Sequence, residues 1–393
     1  MKTMDTMKSV CGGRLESLDA LRGFDMLLIM GLGPVVIALC GLFGFGESCW
    51  LARQFEHVEW NGLRLEDTIF PLFLFLAGVA WPFSYARQRE AGKTTGAIVW
   101  KCVKRAVVLF ALGLVYGGLL RGNLRMGSVL GRIGVAWMVG AFLHMGFRVR
   151  TLAILALLIP IAYWLLIYFV PAPDALTLAI PESLGYVRDY GTGPYSIVGN
   201  LSGWIERHFM PGVLQPYTGI ADNQSVLGYI PAVGTALLGI LSGEFLRSSR
   251  TMRPVKRIGL MALAAVALVA LGLAIATCFG EMSMPVNKKL WSASFTFVVG
   301  GYSVAMLALF HGVVDVLGWK RWTFFFRVIG MNSIFIYMAM PILGLGGISK
   351  YLFAGLVSLL PVAFQPLGTG VAFVATCWLL LYFLYRKKVF FKV

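Results

Sequence analysis

The stretch Ile258–Phe279, IGLMALAAVALVALGLAIATCF, runs for 22 residues without a charged side chain. A helix needs about 20 apolar residues to cross the hydrocarbon core of a bilayer. Nine further stretches read the same way, at 23–45, 68–86, 104–120, 129–147, 151–170, 226–246, 293–314, 323–345 and 366–385. Composition agrees: 58% of residues are hydrophobic and 13% charged, where a soluble domain carries about 25% charged residues. A soluble fold with a mean hydropathy of +0.78 would expose more apolar surface than water tolerates. Disordered chains, disulfide scaffolds and coiled coils are excluded on the same grounds. The expectation is an all-α, polytopic integral membrane protein of about ten spans, forming a single domain over residues 1–393.

Thirty-four Lys and Arg against 18 Asp and Glu leave a net charge of +16. Nucleic-acid binding does not follow, because no basic run is interleaved with stacking aromatics on a soluble segment. Basic residues collect instead in the cytoplasmic loops of membrane proteins. With ten spans and both termini cytoplasmic, 24 of the 34 fall on the inner side, and the cell inner membrane is the expected location. The segment 348–364 is apolar but carries Lys350 and Pro361, and a full crossing there would put Arg386–Lys388 outside. It reads as a half-helix. Two long outer segments remain, 46–67 and 171–225. The second, rich in Gly, Pro, Tyr and Asn, is too long for a structureless loop without a role. It is expected to form a lid over the outer mouth or a contact between two copies in a homodimer. The six cysteines show no metal spacing and read as packing residues, with Cys40, Cys49 and Cys278 near enough to the outer face to leave one disulfide open.

The densest polar cluster lies between the first two spans, at Glu56-His57-Val58-Glu59-Trp60-Asn61-Gly62 followed by Glu66-Asp67. Of the four histidines, His144 and His311 sit at inner helix ends, where capping explains them, and His208 sits in the long outer segment. His57 alone is crowded by carboxylates and amides. A carboxylate on one imidazole nitrogen fixes the tautomer and leaves the other nitrogen to act as a base. A zinc site would want a second His or Cys close by, so no metal is expected. At the other mouth, Asp19 and Arg22 are three residues apart and share a helix face. They read either as a structural pair or as part of an anion site, since the Arg fork suits phosphate. Arg132, Glu244 and Asn332 fall within spans, where polar groups are costly and therefore candidates for function, although Arg132 and Glu244 are near enough to helix ends to snorkel.

Several of these pieces, in order along the chain, resemble the heparan-alpha-glucosaminide N-acetyltransferase family. They are Arg14–Gly23, His57-x-x-Trp60-Asn61-Gly62, Asp67-x-Ile69-Phe70-Pro71, Val129–Gly134, Pro285–Trp291, Gly330-Met331-Asn332-Ser333 and Tyr385–Lys388. The opening also resembles the wider transmembrane acyltransferase superfamily. The resemblance implies transfer of an acetyl group from cytoplasmic acetyl-CoA to the amine of a terminal glucosamine across the membrane, with His57 as the active-site histidine. Lysosomal members place an active-site asparagine shortly before that histidine. Here Gly31-Leu32-Gly33-Pro34 stands in that neighbourhood, with no Asn between residues 11 and 60. The lysosomal members' N-terminal soluble domain and leading span are also expected to be missing.

This chemistry suits the residues. Attack on a thioester needs an unprotonated amine, so a base with a pKa of about 6.5 is useful, and an acetyl-imidazole intermediate is the alternative. His57 and Asp67 are the expected catalytic pair. Trp60, Asn61, Asn287, Lys288 and Trp291 are the expected substrate-binding residues, with Asn61, Asn287 and Lys288 able to donate to the thioester oxygen. Arg14, Asp19, Arg22, Arg105, Arg132, Asn332 and Lys387 are the expected acetyl-CoA residues. The donor would thread a crevice relaxed by Gly113, Gly117, Gly234 and Gly239. A permease for an amino sugar is the runner-up, and lipid and an amino-sugar acceptor are the expected partners.

Overall fold

The computed structural model describes residues 15–45, 49–122, 124–179, 191–217 and 219–391. The chain enters through α1 (Glu16–Leu27), passes a π-turn at Leu28–Leu32 and continues as α2 (Gly33–Leu42). Pro34 causes the break, because it lacks an N–H for the helical ladder and its ring crowds the carbonyl four residues back. Gly31 takes up the distortion at φ 115°, a conformation that costs glycine little. A short α3 (Trp50–Arg53) precedes the long α4 (Leu65–Glu90), then α5 (Thr95–Tyr116), α6 (Val129–Gly146) and α7 (Val149–Phe169). The outer segment carries α8 (Leu201–Phe209) and an antiparallel pair, β1 (Pro216–Tyr217) and β2 (Ala221–Asp222), with Tyr217 opposite Ala221. It is followed by α9 (Tyr229–Ser248), α10 (Pro254–Thr277) and α11 (Ala293–Phe310). Last come α12 (Thr323–Gly330), α13 (Ser333–Ile342), α14 (Leu345–Ser358) and α15 (Gln365–Arg386).

This is a multi-pass membrane protein. Among the described residues, eight helices are long and apolar enough to cross, or nine if α12 and α13 count as one span bent by 68°. The tenth expected span is α5. Its 22 residues rise about 33 Å, enough to cross, and Lys101, Lys104 and Arg105, which set its composition apart from the other spans, line a cavity instead of facing lipid. The half-helix expected over 348–364 is α14, whose 14 residues rise about 21 Å, short of a 30 Å core.

The central helix is α4, which packs against α9, α12's neighbour α1, α6 and α11. Glycines set how closely it approaches α9. A Cβ at Gly78 would stand 2.5 Å from the Ala236 carbonyl oxygen, and one at Gly239 would run into the Phe75 carbonyl. The four glycines expected to loosen a crevice therefore do the reverse. Gly234 lets Pro160 Cγ within 2.6 Å of where its Cβ would be, and Gly113 brings Ser128 Cβ within 2.8 Å. In lipid, helices associate through such close van der Waals contact because burial from water supplies no drive.

Cys40, Cys102 and Cys377 are buried as expected, and all five described cysteines are free thiols; Cys11 lies outside the described residues. Residues 180–190 and 218 of the outer segment also lie outside them. The rest of that segment docks on the His57 loop, where Trp60 Nε1 donates to the Tyr195 carbonyl at 2.8 Å and Tyr217 Oη to the Glu59 carbonyl at 2.9 Å.

Candidate active site

The loop bearing His57 is closed onto the start of α4 by Gln54. Its side-chain oxygen accepts from Leu65 N at 3.2 Å and its carbonyl from Glu66 N at 3.0 Å. Arg64 ties the loop from the other side, with Nη1 3.0 Å from Glu56 Oε2. The first turn of α4 then presents Asp67, only 1% exposed, whose Oδ2 accepts from Arg64 N at 3.2 Å. Its Oδ1 accepts from His57 Nδ1 at 2.9 Å and from Lys288 Nζ at 3.3 Å. With Nδ1 engaged, Nε2 is the nitrogen left to take a proton, on a side chain that is 54% exposed.

Lys288 completes the cluster from the loop before α11. Nζ lies 3.4 Å from His57 Nδ1 and 5.5 Å above the Phe70 ring. Burial pushes its pKa below the ordinary lysine value, and the Asp67 carboxylate holds it back up. A dry carboxylate such as Asp67 persists only with partners of this kind.

The other expected substrate residues build the walls. Asn287 Nδ2 donates to Asn61 Oδ1 at 3.1 Å, and Asn287 Oδ1 accepts from Leu290 N at 2.8 Å. Together with Gly62 N on the Val286 carbonyl at 2.8 Å, these bonds staple two distant loops. Trp291 is 2% exposed, donates to Thr235 Oγ1 at 3.1 Å and sits at φ 53°. Arg132 belongs to this mouth as well. It is 1% exposed, donates to the Ser225 carbonyl at 2.9 Å and stacks 4.9 Å from the Trp291 ring. It is therefore placed away from the residues expected to share the donor with it.

Those residues meet at the far end of α4. A cavity of about 1070 Å³ opens there, lined among others by Asp19, Arg22, Arg105, Trp81 and Phe391. The Asp19–Arg22 pair survives at 3.7 Å. Arg105 lies 4.2 Å from the Trp137 ring, and its Nε is buried without a hydrogen-bond partner among the described residues. Arg87, Lys101, Lys104, Arg247 and Arg250 also line the cavity. Sequence reasoning counted them only as inner-side charge; their concentration in the short stretches 87–105 and 247–257 was the signal for more. Asn332 stands beside the cavity but is occupied, since its amide holds the Val389 carbonyl and the Phe391 N–H at 3.0 and 2.9 Å. Lys387 is exposed and absent from the lining, and Arg14 lies outside the described residues. Glu244 is paired with His144 at 2.9 Å and with Arg247 at 2.9 Å. Among the described residues no group of His, Cys, Asp and Glu has the arrangement of a metal site.

The 26 residues of α4 rise about 39 Å, so the His57 cluster and the cation-lined cavity occupy opposite ends of one helix. No family model matches the chain. Two curated relatives match it from end to end. The heparan-alpha-glucosaminide N-acetyltransferase of Homo sapiens is 26% identical over 425 residues, covering 97% of this chain and 60% of the relative. That of Mus musculus is 26% identical over 421 residues, with the same shares. The likeness supports the heparan-alpha-glucosaminide N-acetyltransferase family. The chain spans about three-fifths of the length of these relatives.

Proposed function

We propose that this protein is an integral-membrane acetyltransferase that moves the acetyl group of acetyl-CoA to the amine of a glucosamine-type sugar. The observation that carries this reading is the two-ended architecture along α4, with a poised imidazole at one end and a cation-lined cavity at the other. Coenzyme A carries three phosphates, which suit Arg forks. Arg105 lines that cavity, and its buried Nε has no hydrogen-bond partner among the described residues. The pantetheine arm then points along α4, where Phe73 on the cavity wall and Asp67 are six residues, or about 9 Å, apart.

At the far mouth, the acceptor amine is deprotonated by His57 Nε2 and attacks the thioester carbonyl. Asp67 keeps the ring in the tautomer that can do this and stabilises the imidazolium that forms. Lys288 places an ammonium where negative charge develops on the carbonyl oxygen. The same ring can carry the acetyl group itself in a two-step variant. In this reading the cavity faces the cytoplasm of a cell inner membrane, both termini lie on that side, and the sugar arrives from outside. The basic residues of the cavity wall and helix ends favour that orientation.

The test is transfer of labelled acetyl from acetyl-CoA to glucosamine by the purified protein in sealed vesicles of both orientations. Acetylation that needs donor and acceptor on opposite faces supports the reading. With labelled glucosamine in the same vesicles, accumulation of unmodified sugar without acetylation would mean a permease instead.

A further inference from the structure

Residues Asn287–Ser292 close a single turn with two backbone bonds. Trp291 N donates to the Lys288 carbonyl at 3.1 Å, and Ser292 N to the Asn287 carbonyl at 2.9 Å. This is the Schellman pairing, in which the fifth of the six residues takes the left-handed conformation and is usually glycine. Here that residue is Trp291, at φ 53°. A bulky side chain is an outlier in that region, and such strain persists only where the surroundings over-determine it.

The indole supplies anchors that glycine could not. Its Nε1 donates to Thr235 Oγ1 of α9 at 3.1 Å, and the Arg132 guanidinium of α6 lies 4.9 Å from the ring. Arg132 is itself buried and fixed, donating to the Ser225 carbonyl at 2.9 Å. Tyr163 of α7 holds the same turn, its Oη donating to the Leu290 carbonyl at 2.8 Å. Three helices thus pin one strained turn. Trp291 is buried, which leaves almost no surface for a substrate, so what it can affect is what the turn carries. The second residue of the turn is Lys288, whose Nζ reaches Asp67 Oδ1 at 3.3 Å and lies 3.4 Å from His57 Nδ1.

We propose, resting on the acetyltransferase reading, that Trp291 is a positioning residue for Lys288. An indole takes the place of glycine in the turn, ties it to α6 and α9, and so holds the ammonium where charge develops on the thioester oxygen. Misplacement of such a group by about 1 Å costs on the order of 100-fold in rate. A residue that merely packs would weaken the fold when removed, without singling out Lys288.

The experiment is a double-mutant cycle on the acetylation of glucosamine by acetyl-CoA. Trp291→Gly is the deciding variant, because glycine adopts a positive φ freely and only the anchors are lost. It should lower kcat by about 10- to 100-fold. KM for acetyl-CoA, bound at the far end of α4, should change by less than about twofold. Lys288→Met should cost about 100-fold, as for a missing oxyanion donor. With Lys288→Met in place, Trp291→Gly should cost less than about twofold more, because residues that act through one group are not additive. Losses that multiply, a Trp291→Gly protein as fast as the parent, or no loss on Lys288→Met would each overturn the assignment. Stabilisation by CoA against heat shows that Trp291→Gly is folded. If it is not, Thr235→Val, which removes the acceptor of the indole N–H at nearly the same volume, is scored in the same way. A parent protein that acetylates nothing would overturn the acetyltransferase reading and the role of Trp291 with it. Multiplied losses in an active parent overturn that role alone.

Discussion

His57 is held through one nitrogen and works with the other, so its removal should separate chemistry from binding. His57→Ala is expected to lower single-turnover acetyl transfer by about 10²–10⁴-fold, while stabilisation of the protein by CoA is retained. A variant rate above about a tenth of the parent's would exclude the base role. His57→Gln should be nearly as poor, because an amide cannot take up the proton. At the opposite mouth, Arg105 lines the cavity, and its Nε has no hydrogen-bond partner among the described residues. A hydrogen bond to a charged group contributes about 1.5–3 kcal/mol, so Arg105→Ala should weaken CoA binding by roughly 10- to 100-fold. Calorimetric titration would measure it. Lys387→Ala should leave the affinity unchanged, since that side chain is exposed and stands away from the cavity lining.

Among the elements, the α4–α9 crossing has no room for a side chain at Gly239, where a Cβ would meet the Phe75 carbonyl. Gly239→Leu forces these helices apart, and overpacking of this kind costs about 1–3 kcal/mol. Tm in detergent should drop, and the same change at Gly259, where nothing lies within 4 Å, should not lower it. The outer segment is tied differently. Asp174 accepts from Arg207 Nε at 2.7 Å, and the Arg207 hydrogen bond, opposed by burial, holds its carboxyl below the ordinary value. A depressed carboxyl contributes its stability above the unfolded pKa of about 3.9 and loses it as pH falls through the folded value. Proteolysis of the 191–217 region should therefore be steady from neutral pH down to about 4 and rise only below that. Asp174→Asn should raise cleavage at neutral pH and flatten the acid step. An unchanged profile in that variant would show that the tie carries no weight.

Over the whole molecule, α4 separates two mouths of different character, and the surplus of basic residues at one end predicts that end to be cytoplasmic. In a cysteine-free background, a cysteine at position 57 should react with an impermeant reagent from outside and one at position 93 only from inside. Positions 57 and 93 are both exposed in the fold. Reaction of both from one side would contradict an odd number of crossings between them, and with it the separation of donor and acceptor.

The apolar runs alone determined an all-α membrane bundle, because a span must satisfy its backbone within one continuous segment. Charge was less legible: 104–120 reads as a span like the others, and only the fold shows that Lys101, Lys104 and Arg105 of α5 line the cavity. The His57–Asp67 pairing was legible too, since both residues lie in one short stretch and their chemistry is complementary. What the chain order does not show is which residues meet after folding. Lys288 comes to Asp67 from 221 positions away, while Asn287 donates to Asn61 across 226. Arg132 and Asn332 looked alike as polar groups in spans, yet one stacks on Trp291 at the His57 mouth and the other pins the C-terminal tail. Hydrophobic periodicity acts locally and can be read residue by residue. The satisfaction of a buried polar group depends on whatever neighbour the packing of distant helices delivers, and only the tertiary structure decides that.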